Sequence, residues 1–231
     1  MQLIKRIACI CMIFVVSLQS TLFVQANPLN KPVYTSNVKE NKKIALTFDD
    51  GPHPRNTPKI LEVLEKYGVK ATFFVIGVNV KNYPETLSKI EQCGHEIGNH
   101  TYSHKVLKSK SKEDISEELL KTEKEISKSV DYTTSLVRPP CGLYDEKLVE
   151  LALENDYKII LWNVDTKDWN HESCDTITSK VTKEVKGGDI ILFHDYISGV
   201  NNTPAALEKI IPLLLNQGFE FVTVSQLLQD I

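Results

Sequence analysis

From Lys42 to the end of the chain, seven short and nearly all-apolar runs alternate with six segments of helical periodicity. No other feature constrains the fold as strongly. The strand candidates are residues 43–48, 71–77, 95–99, 134–139, 158–164, 189–194 and 219–224. The intervening helices are expected at 58–67, with Thr57 as N-cap and Pro58 in the first turn, and at 84–93, 112–130, 145–155, 174–186 and 204–216. Strict alternation calls for parallel strands joined by right-handed crossovers. Runs without a polar face call for a sheet covered on both sides. An open doubly wound sheet and a closed barrel both satisfy this pattern. No glycine-rich turn follows the first run, which weakens the case for a dinucleotide-binding sheet. The length of 231 residues, with 42% apolar and 25% charged residues, suits one sizeable globular core.

The N-terminus stands apart. Lys5 and Arg6 precede the apolar run IACICMIFVVSL, and Val24-Gln25-Ala26 supplies small or compact residues at the two positions a signal peptidase reads. Residues 1–26 are therefore expected to be a secretory signal peptide, with an uncleaved anchor as the alternative. Residues 27–41, polar and carrying two prolines, read as a linker, and 42–231 as a single domain. Residues 1–26 contain two cations and no acid, so their removal takes the formal charge from −3 to −5. An acidic chain of this kind argues against nucleic acid or an anionic membrane as partner. Of the five cysteines, Cys93, Cys141 and Cys174 lie outside the leader; three cannot build a disulfide scaffold.

The strand ends carry the chemistry. Asp49 and Asp50 follow the first run, His100 and His104 the third, and Arg138 the fourth; Asp165, Asp168 and Trp169 follow the fifth, and His194 and Asp195 close the sixth. In parallel α/β folds the carboxyl-terminal rim is where sites are built. Two imidazoles at i and i+4 share a face on a helical turn, and one carboxylate completes a common ligand set for a catalytic divalent metal. A cation beside Asp49 and Asp50 also relieves the repulsion between adjacent carboxylates. One aspartate would hold the metal while its neighbour accepts a proton from water, and His194 would protonate a leaving group. Arg138 could instead be a structural partner for Asp168, and Trp169 a core residue. Asp165, Asp195, His53, His95 and His171 have no role forced by position, and the charged 112–130 helix reads as a solvated face.

TFDDGP, HTYSH, RPPCG, DTKDW and ILFHD, in this order and spacing, resemble the polysaccharide deacetylases with the NodB homology domain, carbohydrate esterase family 4. The resemblance covers about residues 42–228. It implies a distorted (β/α) barrel of about seven strands, a single domain. It implies a divalent metal, usually zinc with cobalt or another divalent ion as alternative, on Asp50, His100 and His104. Asp49 would be the general base, oriented by Arg138, and His194 the general acid, oriented and tuned by Asp168. Trp169 and Leu192 would receive the acetyl methyl, and the Cys141 N–H would face the oxyanion. Cys141 departs from the Tyr common in the family, which affects the sugar contact rather than the backbone donor. The implied activity is N-deacetylation of an exported or cell-envelope glycan: peptidoglycan first, chitin or its oligomers second, with xylan O-deacetylation sharing the machinery. A carbohydrate-binding homologue without chemistry would lack one of these residues, and none is missing.

Overall fold

The structure, a computed structural model, describes residues 31–229. The expected signal peptide lies outside the described residues. Among the described residues nine strands occur: β1 (Val33–Tyr34), β2 (Lys43–Asp49), β3 (Thr72–Val75), β4 (Glu96–Asn99), β5 (Leu136–Val137), β6 (Lys158–Ile160), β7 (Val164–Asp165), β8 (Ile190–His194) and β9 (Glu220–Phe221). Their order is β1-β6-β5-β4-β3-β2-β8-β7, with β9 added to β2, and every ladder is parallel.

The seven expected strands all form, some in shortened versions, and the 158–164 run divides in two. β6 pairs with β5, whereas β7 pairs with β8 at the far end of the sheet. Leu161, Trp162 and Asn163 thus carry the chain from one side of the sheet to the other. Four residue steps span at most about 14 Å. The sheet must therefore curl until its ends nearly meet, and a distorted barrel replaces the open-sheet alternative. Val33–Tyr34 extends it by pairing with β6, so the expected 27–41 linker is part of the fold over these residues.

Helices cover the outside: α1 (Asn56–Lys66), α2 (Gly77–Asn82), α3 (Pro84–Gln92), α4 (Lys112–Ser129), α5 (Glu146–Glu154), α6 (Cys174–Glu184), α7 (Thr203–Asn216) and α8 (Val224–Leu227). None of the described helices is long and apolar enough to cross a membrane. Three details depart from expectation. Thr57 is not the cap of α1; Arg55 occupies that position, and the Thr57 hydroxyl is buried, donating to Asp195 and accepting from the His53 N–H. The 71–77 run stops at Val75, because Gly77 opens α2. The last run yields two strand residues, and Thr223 then starts α8 with a reciprocal capping box to Gln226.

Alternation along the strands sorts the core. On β2, Ile44, Leu46 and Phe48 face the helices, and Phe48 stacks with Phe73 and Phe193. Ala45 belongs to the interior cluster with Phe74, Leu136 and Ile160. Thr47 and Asp49 share that inward side, and so do Leu192 and His194 on β8. The period of two thus delivers the polar ends of two neighbouring strands to the barrel mouth. Gly98 on β4 leaves room for the Phe74 ring, which a Cβ there would strike. Phe74 in turn lies 4.0 Å from the Arg138 guanidinium.

Candidate active site

Asp49, Asp50, His100, His104, Cys141, Leu192 and His194 line one cavity of about 350 Å³, closed on its other sides by Trp162, Asp165 and Trp169. Side chains from five strand ends are therefore neighbours, as the common rim address requires. Arg138 and Asp168 sit immediately behind this wall.

Asp50, His100 and His104 form the one cation-type cluster among the described residues, with their ligand atoms all within 4.8 Å of one another. Asp50 Oδ1 stands 3.2 Å from His104 Nε2 and 3.5 Å from His100 Nε2. It is buried yet accepts no hydrogen bond. His100 Nδ1 is held 2.7 Å from the Arg138 carbonyl, which fixes the tautomer and leaves Nε2 with a lone pair directed at Asp50. A buried carboxylate oxygen without a donor, faced by two imidazole nitrogens, is a donor set that fits a divalent cation.

The two histidines meet by a different route from the one expected. Residues 100–104 are not a helical turn. They form a loop after β4 with left-handed backbone at Thr101 (φ 67) and His104 (φ 56), and it brings the two rings to a centroid separation of 5.1 Å. Asn99 starts the turn by accepting from the Thr101 N–H at 2.9 Å. Glu118, on α4, accepts from the N–H groups of Tyr102 and Ser103 at 3.0 and 2.9 Å and from the Ser103 hydroxyl. Glu118 is only 8% exposed, an exception on a helix whose other charges are exposed or half-buried. Burial would raise its pKa, but the Ser103 hydrogen bonds and Lys105 hold it below the ordinary glutamate value.

Asp50 is also in the left-handed region (φ 76), at the head of the Gly51-Pro52 turn, whose peptide bond is cis. Asn79 of α2 donates to the Asp50 carbonyl at 2.7 Å, and the Ile76 N–H to that of Gly51 at 2.8 Å. The N–H groups of Gly77 and Val78 bind the carbonyls of Thr101 and Tyr102. The start of α2 thus ties together the aspartate loop and the histidine loop.

Asp49 is separated from Asp50 by environment. Its Oδ1 receives Arg138 Nη1 at 2.7 Å, and its Oδ2 lies 3.7 Å from His100 Nε2. Arg138 is fully buried; it also donates to Thr47 Oγ1, to the Ile160 carbonyl and to the Leu161 carbonyl. Its partner is Asp49, not Asp168. The last two bonds anchor the stretch where the chain crosses from β6 to β7, so one side chain joins sheet closure to the position of Asp49.

On the opposite wall, His194 Nδ1 is 2.8 Å from Asp168 Oδ1, and its N–H donates to Asp168 Oδ2 at 2.7 Å. Asp168 accepts further bonds from Thr203 Oγ1 and the Trp169 N–H. Burial alone would lower the His194 pKa, but the hydrogen bond and charge of Asp168, with Asp49 and Asp50 beyond, push it up to about 9. Cys141 lies in the left-handed region (φ 57) on the cavity wall, with its side chain exposed. Trp169 is half exposed, not core. Asp165, at the end of β7 and without a role forced by its position in the sequence, lines the cavity, and so does Trp162, which no sequence signal selected and which sits where the expected fifth strand breaks. Asp195, also passed over, is buried against Gly51, where a Cβ would strike its carboxylate; burial and the nearby Asp50 push it up to about 7, against the Thr57 hydrogen bond.

A parallel barrel with a two-histidine, one-carboxylate cluster at its carboxyl-terminal mouth, flanked by an arginine-held aspartate and an aspartate-held histidine, defines the class. Comparison with known proteins then places the chain. The family model "Polysaccharide deacetylase" matches residues 36–160, and the chain belongs to that family. It is 41% identical over 198 residues to a peptidoglycan-N-acetylglucosamine deacetylase of Bacillus cereus, covering 84% of this chain and 92% of that one. Among solved structures, the Bc1960 peptidoglycan N-acetylglucosamine deacetylase superposes with a TM-score of 0.84 at 38% identity, over 86% of this chain and 94% of the other. A family 4 acetyl xylan esterase from Clostridium thermocellum, in complex with a cobalt ion, gives 0.75 at 34% identity, over 81% and 91%.

Proposed function

We propose that this chain is a divalent-metal-dependent deacetylase of the cell envelope, hydrolysing N-acetyl groups of peptidoglycan, on N-acetylglucosamine or N-acetylmuramic acid. The observation that carries the reading is the pairing of Asp50 Oδ1, buried and without a hydrogen-bond donor, with two imidazole nitrogens, while the adjacent Asp49 is held apart by Arg138. The peptidoglycan-directed relatives support the substrate class.

A divalent ion on Asp50, His100 and His104, zinc by preference, would polarise the acetyl carbonyl and lower the pKa of a water molecule. Asp49 takes the proton from the attacking water, with Arg138 holding its carboxylate toward the cavity. The Cys141 N–H, turned by left-handed backbone, serves as a donor to the developing oxyanion; one such donor is worth roughly 3 kcal/mol. His194 protonates the departing amine, since an amide leaves well only as a neutral amine, and Asp168 keeps the imidazole charged and oriented. Leu192, Trp162 and Trp169 give the acetyl methyl an apolar wall. Acetate and a free amino sugar are the products. Residues 1–26 would export the chain to this substrate.

The test is acetate release by metal-loaded protein from peptidoglycan, chitooligosaccharides and acetylxylan, before and after a chelator, alongside metal analysis. Release from peptidoglycan that stops with chelation and returns with added zinc is expected. Equal release after complete metal removal would contradict the mechanism, and release from acetylxylan alone would move the activity to O-esters.

A further inference from the structure

The catalytic cavity does not end at the metal cluster. Asp50 and His104 are shared with a second concavity of about 400 Å³, which Tyr196 also lines. Tyr196 also borders a third of about 590 Å³, between the start of α1 and the loop that joins β8 to α7. The first two share Asp50 and His104 and the last two share Tyr196, so the three lie side by side.

The third concavity differs in charge from the other two. Arg55 and Lys59 line it, both exposed, and no acidic residue does. Neither makes an ion pair among the described residues. Asn56, Ser198 and Asn201 add neutral hydrogen-bonding groups. On a chain whose net charge is negative, two unpaired cations facing a cavity mark a place for an anion.

We propose that this basic concavity binds a carboxylate carried by the substrate chain, on a sugar displaced from the one that is deacetylated. The inference rests on the peptidoglycan reading above and sharpens it. A chitin chain is neutral, whereas peptidoglycan bears a lactyl ether on alternate sugars, ending in a carboxylate or in an attached peptide with carboxylates of its own. Arg55 and Lys59 therefore select peptidoglycan over a neutral polymer of the same backbone, while the residues at the cluster treat both alike.

The experiment compares the wild type with the R55Q/K59Q double variant. K183Q serves as control, since Lys183 lies in the last turn of α6, at the end of the barrel opposite the mouth. Three tetrasaccharide probes are used with metal-loaded protein: neutral N-acetylglucosamine, an alternating N-acetylmuramic acid form with free lactyl carboxylates, and that form bearing its peptides. The double variant is expected to lose roughly fivefold in kcat/KM on the anionic probes, as two exposed ion pairs would give, and to match wild type on the neutral one. Loss on the free-lactyl probe alone assigns the contact to the lactyl carboxylate, loss on the peptide form alone assigns it to a peptide carboxylate, and loss on both shows that the site accepts either. An unchanged ratio between anionic and neutral probes overturns the site. Wild-type protein that releases acetate from no probe overturns the proposed function instead. Calorimetric binding of the same probes then judges the site separately, and equal Kd values for wild type and double variant reject it.

Discussion

Arg138 Nη1 lies 2.7 Å from Asp49 Oδ1, and neither side chain has more than marginal contact with solvent. The guanidinium spends its other donors on Thr47, Ile160 and Leu161, so the ion pair is one corner of a network that spans three strands. A lysine keeps the charge but cannot reproduce the fork. Arg138→Lys is expected to lower Tm by several degrees and kcat by at least about tenfold while metal content stays near one per chain. Arg138→Met, which leaves Asp49 buried without its partner, should cost about 3 to 5 kcal/mol in denaturant unfolding. Wild-type stability and turnover in both variants would remove Arg138 from the account.

The adjacent aspartates should separate cleanly under amide substitution. Asp49→Asn is expected to keep the metal and lose turnover, because the amide cannot accept the water proton. Asp50→Asn should empty the site, because one of three ligands becomes neutral and binds poorly. Metal analysis of the two purified variants decides the matter: a filled Asp50→Asn and an empty Asp49→Asn would exchange the two roles.

Glu118 supports the histidine loop without touching the cluster. It binds Tyr102 and Ser103, the residues just before His104. Residues that orient metal ligands typically contribute 10- to 100-fold in affinity. Glu118→Ala is therefore expected to weaken metal binding by about tenfold or more, measured by chelator competition, with His100 and Asp50 unaltered. Glu118→Gln, which keeps one acceptor oxygen, should fall between. Affinity unchanged in Glu118→Ala would mean that α2 alone holds the loop.

The parts legible in the sequence are those that follow from chain periodicity. Seven apolar runs ending in polar residues place Asp49, Arg138 and His194 on one rim, because a parallel sheet puts all its strand ends on one side. Loop geometry was not legible. HTYSH looks like a helical pair, but left-handed residues at 101 and 104 bring the rings together instead. Within KIILWNV only Asn163 interrupts the apolar run, too weak a signal to show that Leu161–Asn163 leave the ladder; the pairing partners divide it, and Trp162 reaches the cavity as a result. Glu118 is hidden among the charges of α4, where a single inward-facing acid has no local signature. The T-x-x-Q capping box at Thr223 was readable, and it ends the last strand early.

Turnover should depend on pH through His194. Asp168 holds the pKa of His194 above the ordinary histidine value, which keeps the imidazolium present at neutral pH, and activity should fall as the pH rises on the alkaline side. A bound cation offsets the contributions of Asp49 and Asp50 but leaves that of Asp168. Asp168→Asn keeps an oxygen acceptor for Nδ1 and removes the charge, so the alkaline limb of kcat should move down toward the ordinary histidine value of about 6.5. Titration of the His194 ring by NMR should move in step. An alkaline limb at the same pH in both proteins would show that another group sets it.

Stability should show a separate acid-side dependence through His95, which lies just before β4 at the end of the sheet opposite the cavity. Its ring is buried edge-on against Phe73 and accepts from the Ala71 N–H at 3.2 Å. Burial, with help from the Lys70 charge, lowers its pKa to about 4 from the ordinary 6.5. Between those values the unfolded chain binds a proton that the folded chain refuses. Its contribution is therefore complete above pH 6.5 and lost as the pH falls toward 4, with a total of about 3 kcal/mol. His95→Asn preserves an acceptor for Ala71 and removes the titration. The variant should be less stable than wild type at pH 7 because the larger ring no longer fills its place, yet its unfolding free energy should decline less between pH 6.5 and 4. Parallel declines, measured by urea unfolding at each pH, would show that the acid sensitivity of this fold arises elsewhere.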